Sequence, residues 1–467
     1  MPRSFGPGAG VELLGSVLGA EDFALRYVTS KKNRLISLLQ RLPSLGDPQV
    51  AYCLLRLCLG PGRLIHFMRC TPPLLYPAVG PILQSIDAEI RLTFESCSSL
   101  SIPDMAWRQA CLPIRLGGLG LPCSAELHPL AYFASLFAAR HDLPLLTSLP
   151  FDTTHAIWTT AAGQLDSLLP PAADRSFDEW FARGPEGETV GSQRSLSTVM
   201  GQARFESLLE DFAGQHAWRD CGRLRSLSLP HSGAFLTSLP NRNLGGNLSG
   251  PEFSVCIAWR LGLPMIRADL PCRHCGSSLD AFGDHVVSCA RSGLRIHRHN
   301  AIRDCLFHIA RSSGLSPSME VSVDASSSRP ADIYIPSWHG GHSCAVDVTV
   351  THPLRSDLLS QARHHSGVGL RKGELRKQAN ADRCRTAGVG FLVFGLESFG
   401  GASESSRDLV RSFGDFQAFR DPTPRGILVD RFWQRISIIL HRQQAYGFLD
   451  ASALEFDHSM GHDDMVL

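Results

Sequence analysis

Apolar side chains between residues 21 and 140 recur at helical spacing, as in Ala51, Leu54, Leu55 and Cys58, so this half of the chain is expected to be largely α-helical. Pro43 with Gly46, residues 60–62, Pro72 with Pro73 and the loop LGGLG at 116–120 punctuate it. Residues 170–195 are poor in aliphatic side chains and rich in Gly and Pro, which suits a linker and a domain boundary. Helical patterning returns at 196–224 and again at 251–263, where Gly262 marks the stop. Ala301, Ile302, Cys305, Leu306 and Ile309 form one stripe, so an amphipathic helix is expected over 300–313. Three strands are expected next, at 319–323, 332–335 and 345–350, separated by a Ser-rich turn at 325–328 and a Gly-Gly turn within 338–342. In the last of them Val346, Val348 and Val350 alternate with Asp347 and Thr349. A polar, mostly helical stretch at 356–384, a strand at 389–396, a loop at 400–406 and an amphipathic helix at 427–440 complete the pattern. The fold class this gives is α+β and multidomain: a helical N-terminal half, then an α-β-β-β-α-β core closed by a C-terminal helix.

Composition narrows the class. The chain has 467 residues, long enough for about three domains. Hydrophobic residues make up 43% and charged ones 19%, which is ordinary for a globular protein and unlike a disordered one. The first ten residues are Gly- and Pro-rich without the apolar core of a signal peptide, and no apolar run reaches spanning length, so an intracellular protein is expected. In a reducing compartment its 14 cysteines are read as metal ligands or buried groups rather than disulfides. A net charge of +1 conceals a basic stretch: Arg291, Arg295, His297, Arg298, His299 and Arg303 follow one another with few acids between them. Such a stretch can be a solvated face; it can also meet phosphate.

Cys272, Cys275, His285 and Cys289 are spaced C-x2-C-x9-H-x3-C. Thiolates and imidazole suit tetrahedral Zn²⁺, and Gly276 and Gly283 let the loop between them turn back. His274 is an alternative fourth ligand. A closed set of four makes the metal structural, holding a segment too small for a core of its own. A different reading takes DHVVSC with HRHN as a His-Asn-His nuclease in which His285 is a catalytic base, but no second Cys pair follows at suitable spacing.

Asp332 and Asp347 each lie in a short apolar strand that gives a charge little reason to be there. Two carboxylates on adjacent strands can share Mg²⁺, which polarises a phosphodiester and activates water. Glu320, on the preceding strand, is a third candidate. An exposed strand acid is the plainer reading of any one of them; together they are harder to dismiss. The chemistry also needs a cation, and the position two after Asp347 is Thr349, so a lysine must come from elsewhere. Lys372 and Lys377 project about 140° apart on the following helix, so one of them can face the acids. Lys377, in the run LRKQANADRC, is favoured.

The succession CRHC, DHVVSC, RHN, RPADIYI, AVDVTVTHPL, RKQANADRC and FGLESFG resembles the restriction-like endonuclease of non-LTR retrotransposons, which joins a CCHC knuckle to a PD-(D/E)XK-type nuclease with its lysine displaced into a helix. Pro330 and Asp332, with Ala331 inserted, lead by 14 residues to Asp347. VELLGSVLG and RQACLPIRLGGLGL resemble segments that follow the palm in the reverse transcriptases of such elements, yet residues 1–140 contain no Y/F-x-D-D, and Asp463 and Asp464 sit in a polar tail. The resemblance implies a thumb and connector remnant at 1–140, a linker at 141–200, a helical connector at 201–270, a zinc knuckle at 271–299, an endonuclease at 300–420 and a helix with tail at 421–467. It implies target-strand nicking by Asp332, Asp347, Lys377 and Glu320 with Mg²⁺, and DNA contact through Arg291, Arg295, Arg298 and His299. It further implies a nuclear location and, as partners, DNA, element RNA and a palm-bearing reverse transcriptase chain, with no membrane. The alternative is a zinc-containing nucleic-acid-binding remnant without catalysis.

Overall fold

The computed structural model describes residues 10–139, 159–165, 192–241, 245–266, 270–322 and 331–452. Most of the expected linker at 170–195, the Ser-rich turn at 325–328, Pro330 and the tail with Asp463 and Asp464 lie outside the described residues. The chain forms two compact units, one of residues 1–113 and 119–208, the other of residues 114–118 and 209–467.

The first unit opens with a hairpin of β1 (Gly10–Leu13) and β2 (Ser16–Gly19), followed by α1 (Glu21–Leu39), α2 (Pro48–Leu54), α3 (Ile65–Cys70), α4 (Val79–Ser98), α5 (Asp104–Ala110) and α6 (Ser124–Ala139). The start of α2 is set locally: the Asp47 carboxylate accepts the Gln49 and Val50 amides at 3.0 Å, and Pro48 needs no amide partner there. The helical periodicity of α4 buries Leu83, Ile86, Ile90 and Phe94 on one face. The hairpin was not expected. Its two-residue turn places Leu14 (φ 50°) and Gly15 (φ 81°) in the left-handed region, and a leucine there carries no turn signal. The stripe containing Ala51 also breaks: over Leu55–Leu59 the helix widens to π-helical, and Cys58 turns outward.

Helix α7 (Gln193–Gly214) leads into the second unit, where α8 (Trp218–Leu227), α9 (Ala234–Thr237) and α10 (Gly250–Leu261) follow. Ser249 and Glu252 form a reciprocal capping box at the start of α10, and Gly262 (φ 72°) ends it where expected. Residues 114–118 are held within this unit, because buried Arg260 donates to the Gly118, Ser232 and Ile114 carbonyls. Next come α11 (Asp284–Ser288), α12 (Leu294–Ser312), β3 (Ser318–Met319), β4 (Ile333–Ile335), β5 (Cys344–Thr351), α13 (Leu359–Ala362), α14 (Val368–Arg376), α15 (Gln378–Thr386), β6 (Gly390–Glu397), α16 (Glu404–Ala418) and α17 (Arg425–Ser452).

The four strands form one sheet in the order β3-β4-β5-β6, with β3/β4 and β4/β5 antiparallel and β5/β6 parallel. A parallel pair needs a long crossover, supplied here by α13 to α15. Val346 and Val348 point to the face where Ile302, Leu306 and Ile309 of α12, Phe413 of α16 and Trp433 and Ile436 of α17 build the core. The opposite face of β5 carries Asp347, Thr349 and Thr351 and meets α14.

Several boundaries differ from the sequence expectation for local reasons. Helix α12 begins at Leu294 instead of 300, after Gly293 (φ 72°), so the basic stretch is its first turns. Strand β3 ends at Met319 because Glu320 is left-handed (φ 50°). The loop expected at 400–406 ends at Ser403, whose hydroxyl caps α16. The polar helical stretch divides into three, with the last break at Lys377. Helix α17 runs to Ser452 rather than 440, extending its apolar face through Phe448.

Candidate metal centre and acidic cleft

The knuckle is built by short-range turns. Gly276 (φ 76°) lets its amide reach the Cys272 carbonyl at 2.8 Å, while the Cys272 amide donates to Ser277 at 2.8 Å, folding Cys272 and Cys275 to one side. The Asp280 carboxylate then accepts three amides, from Phe282, Asp284 and His285, which aims α11 and the imidazole at the two thiols. Gly283 (φ 80°) is required twice over, since a Cβ there would lie 2.6 Å from the Phe448 ring.

The ligand atoms of Cys272, Cys275, His285 and Cys289 all lie within 4.8 Å of one another. Cys272 Sγ is 4.0 Å from Cys289 Sγ, and Cys275 Sγ is 3.3 Å from His285 Nε2. Zinc–sulfur bonds of about 2.3 Å at tetrahedral angles put two sulfurs roughly 3.8 Å apart, so the four groups could hold a metal ion such as zinc. The Ser277 hydroxyl and amide hold the Cys275 thiol down to about 6, favouring the thiolate a metal needs. His274 is not a member of the set: its Nε2 is turned toward Asp450, 4.0 Å away. Nor does His285 stand free as a base, because its Nε2 faces the thiols.

A small metal loop needs outside support, and Trp259, Phe399 and Phe448 close over Cys272, Leu279 and Cys289. Polar contacts add to this. Asp284 meets Arg219 at 2.5 Å and buried His352 at 3.3 Å, and His352 Nδ1 lies 2.7 Å from the Ser398 hydroxyl. Burial would raise the Asp284 pKa, but His352 and Arg219 outweigh it and hold the carboxyl at about 2.

The acidic centre is assembled across the sheet. Ile333 pairs with Val346, and the Asp332 amide donates to the Val346 carbonyl at 3.1 Å, so Asp332 lies opposite Asp347 on the same face. Asp332 Oδ1 lies 3.0 Å from His299 Nε2, and its Oδ2 accepts the Val348 amide at 2.7 Å. Asp347 accepts from Lys377 Nζ at 2.8 Å and from Asn380 Nδ2 at 2.9 Å. Burial raises Asp332, yet His299 and the Val348 amide bring it well below the usual carboxylate range; burial leaves Asp347 above it, despite Lys377 and Asn380.

Helix α14 makes this possible by lying close. A Cβ at Gly373 would sit 3.0 Å from Thr349 and Thr351, and one at Gly369 would sit 2.9 Å from Glu397. Buried Glu397 accepts the Gly369 amide at 2.9 Å and the Ser226 hydroxyl, fixing the helix against β6. The break at Lys377 then swings Lys377 and Asn380, three residues apart, onto Asp347. Lys372 is exposed on α14.

A scan against protein-family models and a search of curated proteins find no match for this chain. Of those expected at the site, Asp332, Asp347 and Lys377 converge. Glu320 does not: among the described residues only the knuckle gathers three or more such ligands, and the Glu320 carboxylate accepts from Arg303 at 2.8 Å, its backbone having left the strand. The expected DNA-contact set also divides. Arg291 and Arg295 are exposed, whereas His299 is engaged with Asp332 and Arg298 is 2% exposed, donating to the Val287 carbonyl, so Arg298 is no part of a solvated face. Asn380 and Arg376 were missed, because the break between their helices is what turns Asn380 onto Asp347 and Arg376 onto Thr349 and Thr351.

Beside Asp347 opens a cleft of about 450 Å³, bounded by α12, β5 and the α14–α15 break, with Arg295, Arg298, His299, Arg376, Lys377 and Asn380 on its walls. Among the described residues, no helix is long and apolar enough to cross a membrane.

Proposed function

We propose that the chain is a Mg²⁺-dependent DNA endonuclease of the PD-(D/E)XK type, nicking one strand of nuclear DNA, with the Cys3His knuckle as a structural zinc site. The observation that carries this reading is the meeting of Asp332, Asp347 and Lys377 at one point beside a basic cleft. Asp332 and Asp347 would hold Mg²⁺, whose chemistry is to polarise the phosphodiester and activate water. Their placement opposite each other on one face of the β4–β5 pair suits a hard divalent cation. Lys377, already on Asp347, orients water or offsets the charge that develops on phosphorus. His299 and the Val348 amide orient Asp332, and Asn380 orients Asp347. The mobile-element ancestry suggested by the motifs would make the nick a primer site for reverse transcription by a palm-bearing chain.

The test is nicking of supercoiled plasmid with added Mg²⁺. Wild-type chain is expected to nick, and Asp347→Ala to lose activity by on the order of 10³-fold. Undiminished nicking by Asp347→Ala sinks the assignment.

One observation favours the second reading, a non-catalytic nucleic-acid-binding remnant. Every carboxylate oxygen of the pair already contacts a protein nitrogen, and Glu320 is turned away. That reading expects salt-sensitive DNA binding with no nicking under Mg²⁺ or Mn²⁺.

A further inference from the structure

The cleft beside Asp347 is lined by cations and by no carboxylate. Arg298 lies at its floor on α12. It is 2% exposed, its Nε has no hydrogen-bond partner among the described residues, and its one bond is a long 3.4 Å donation to the Val287 carbonyl. A guanidinium taken out of water without a counter-charge is costly, and nothing among the described residues supplies one.

Its neighbours make the imbalance worse. Arg295, one helical turn earlier, is exposed, lines the same cleft and forms no ion pair among the described residues. Burial, and then the charge of Arg295, pull Arg298 down to about 10. Across the cleft Arg376 donates to the Thr349 and Thr351 hydroxyls, both at 3.3 Å, which aims it along β5. Burial, Arg355 and Arg295 all push its pKa down. Asp357, the acid whose charge acts on Arg376, is already bridged by Arg355 at 3.0 and 3.1 Å.

We infer that Arg298, Arg295 and Arg376 form an anion subsite that takes a DNA backbone phosphate adjoining the one presented to Asp332 and Asp347. The assignment of this phosphate to DNA rests on the nuclease reading. The fork of N–H donors on each guanidinium matches phosphate oxygens, and three like charges around one cleft add their fields within it. The subsite places the strand so that the acidic pair meets a fixed phosphate, while Arg291 stays outside it.

The test is binding of a fluorescein-labelled DNA duplex to the full chain, read by anisotropy over a range of salt with no magnesium added. Arg295→Gln and Arg376→Gln should each lower the slope of log affinity against log salt by about 0.9 and weaken binding roughly tenfold. The double variant should show about twice that loss of slope, and Lys372→Gln, on the same helix, none. Arg298→Met, a neutral chain of similar reach, should weaken binding with an equal or higher melting temperature, because a buried charge goes with it. A double variant with wild-type slope overturns the subsite, and Arg298→Met that melts lower yet binds as wild type removes Arg298 from it. Because binding and nicking are read separately, a chain that never nicks but loses slope keeps the subsite and loses the nuclease. One that nicks through Asp347 with unchanged slope does the reverse.

Discussion

The knuckle and the acidic centre are two ways of gathering metal-binding groups, and they differ in how far the chain must travel. The knuckle draws its four ligands from 18 consecutive residues, positioned by two left-handed glycines and one carboxylate that accepts three amides. The acidic centre draws on α12, the start of β4, the middle of β5 and the α14–α15 break. Its geometry exists only once the sheet and its crossover have formed. The first site closes on itself under Trp259 and Phe448; the second lies beside a cleft that its Lys377 and Asn380 line while its carboxylates do not. A closed set of four suits a metal that holds structure, whereas an open pair suits one that meets a substrate.

The largest effect expected from this contrast is on stability. Cys289→Ala should leave the protein without bound zinc and lower the stability of the second unit by on the order of 5 kcal/mol or more, read by metal analysis and thermal melting. An unchanged melting temperature would remove the structural role. Lys377→Met should show the opposite profile: nicking reduced by roughly 10²-fold with zinc content and melting intact. Loss of zinc in that variant would mean that the two sites are not separate.

The smallest effect concerns the scaffold beneath both. Burial, joined for His231 by Arg407 and Arg411 and for His441 opposed by the Ser437 carbonyl, lowers each from 6.5 to about 4. Each is charged in the unfolded chain below pH 6.5 and stays neutral in the fold down to about 4, so across that window the unfolded state binds more protons. Stability is therefore full above pH 6.5 and falls as pH drops toward 4, by about 2 kcal/mol per histidine at pH 5. Urea unfolding at pH 7 and pH 5 measures this. His441→Phe, which keeps a ring against Phe235, should remove about half of the difference.

Local devices were legible in the sequence. The C-x2-C spacing, the Gly262 stop and the alternation along β5 all follow from residues near one another or from a fixed period, whereas Lys377, 30 residues from Asp347, was pointed to by the motif it sits in. What escaped depends on distant partners. Arg298 reads as one more basic residue until α12 is packed against the knuckle, and Glu320 reads as a strand acid until its backbone turns left-handed and Arg303 takes it. Asn380 became visible only when the break at Lys377 set the angle of α15. The hairpin at residues 10–19 was hidden by a leucine in a position glycine usually fills.

Trp259 is buried, stacked 4.2 Å from Phe399 and tilted 5.2 Å from Phe448, in the same cluster as Cys272 and Cys289. An indole so enclosed emits at short wavelength, and it will redden once water reaches it. With the other six of the chain's seven tryptophans replaced by phenylalanine, Trp259 becomes an optical gauge of the knuckle, legible by intrinsic fluorescence during chelation without any label.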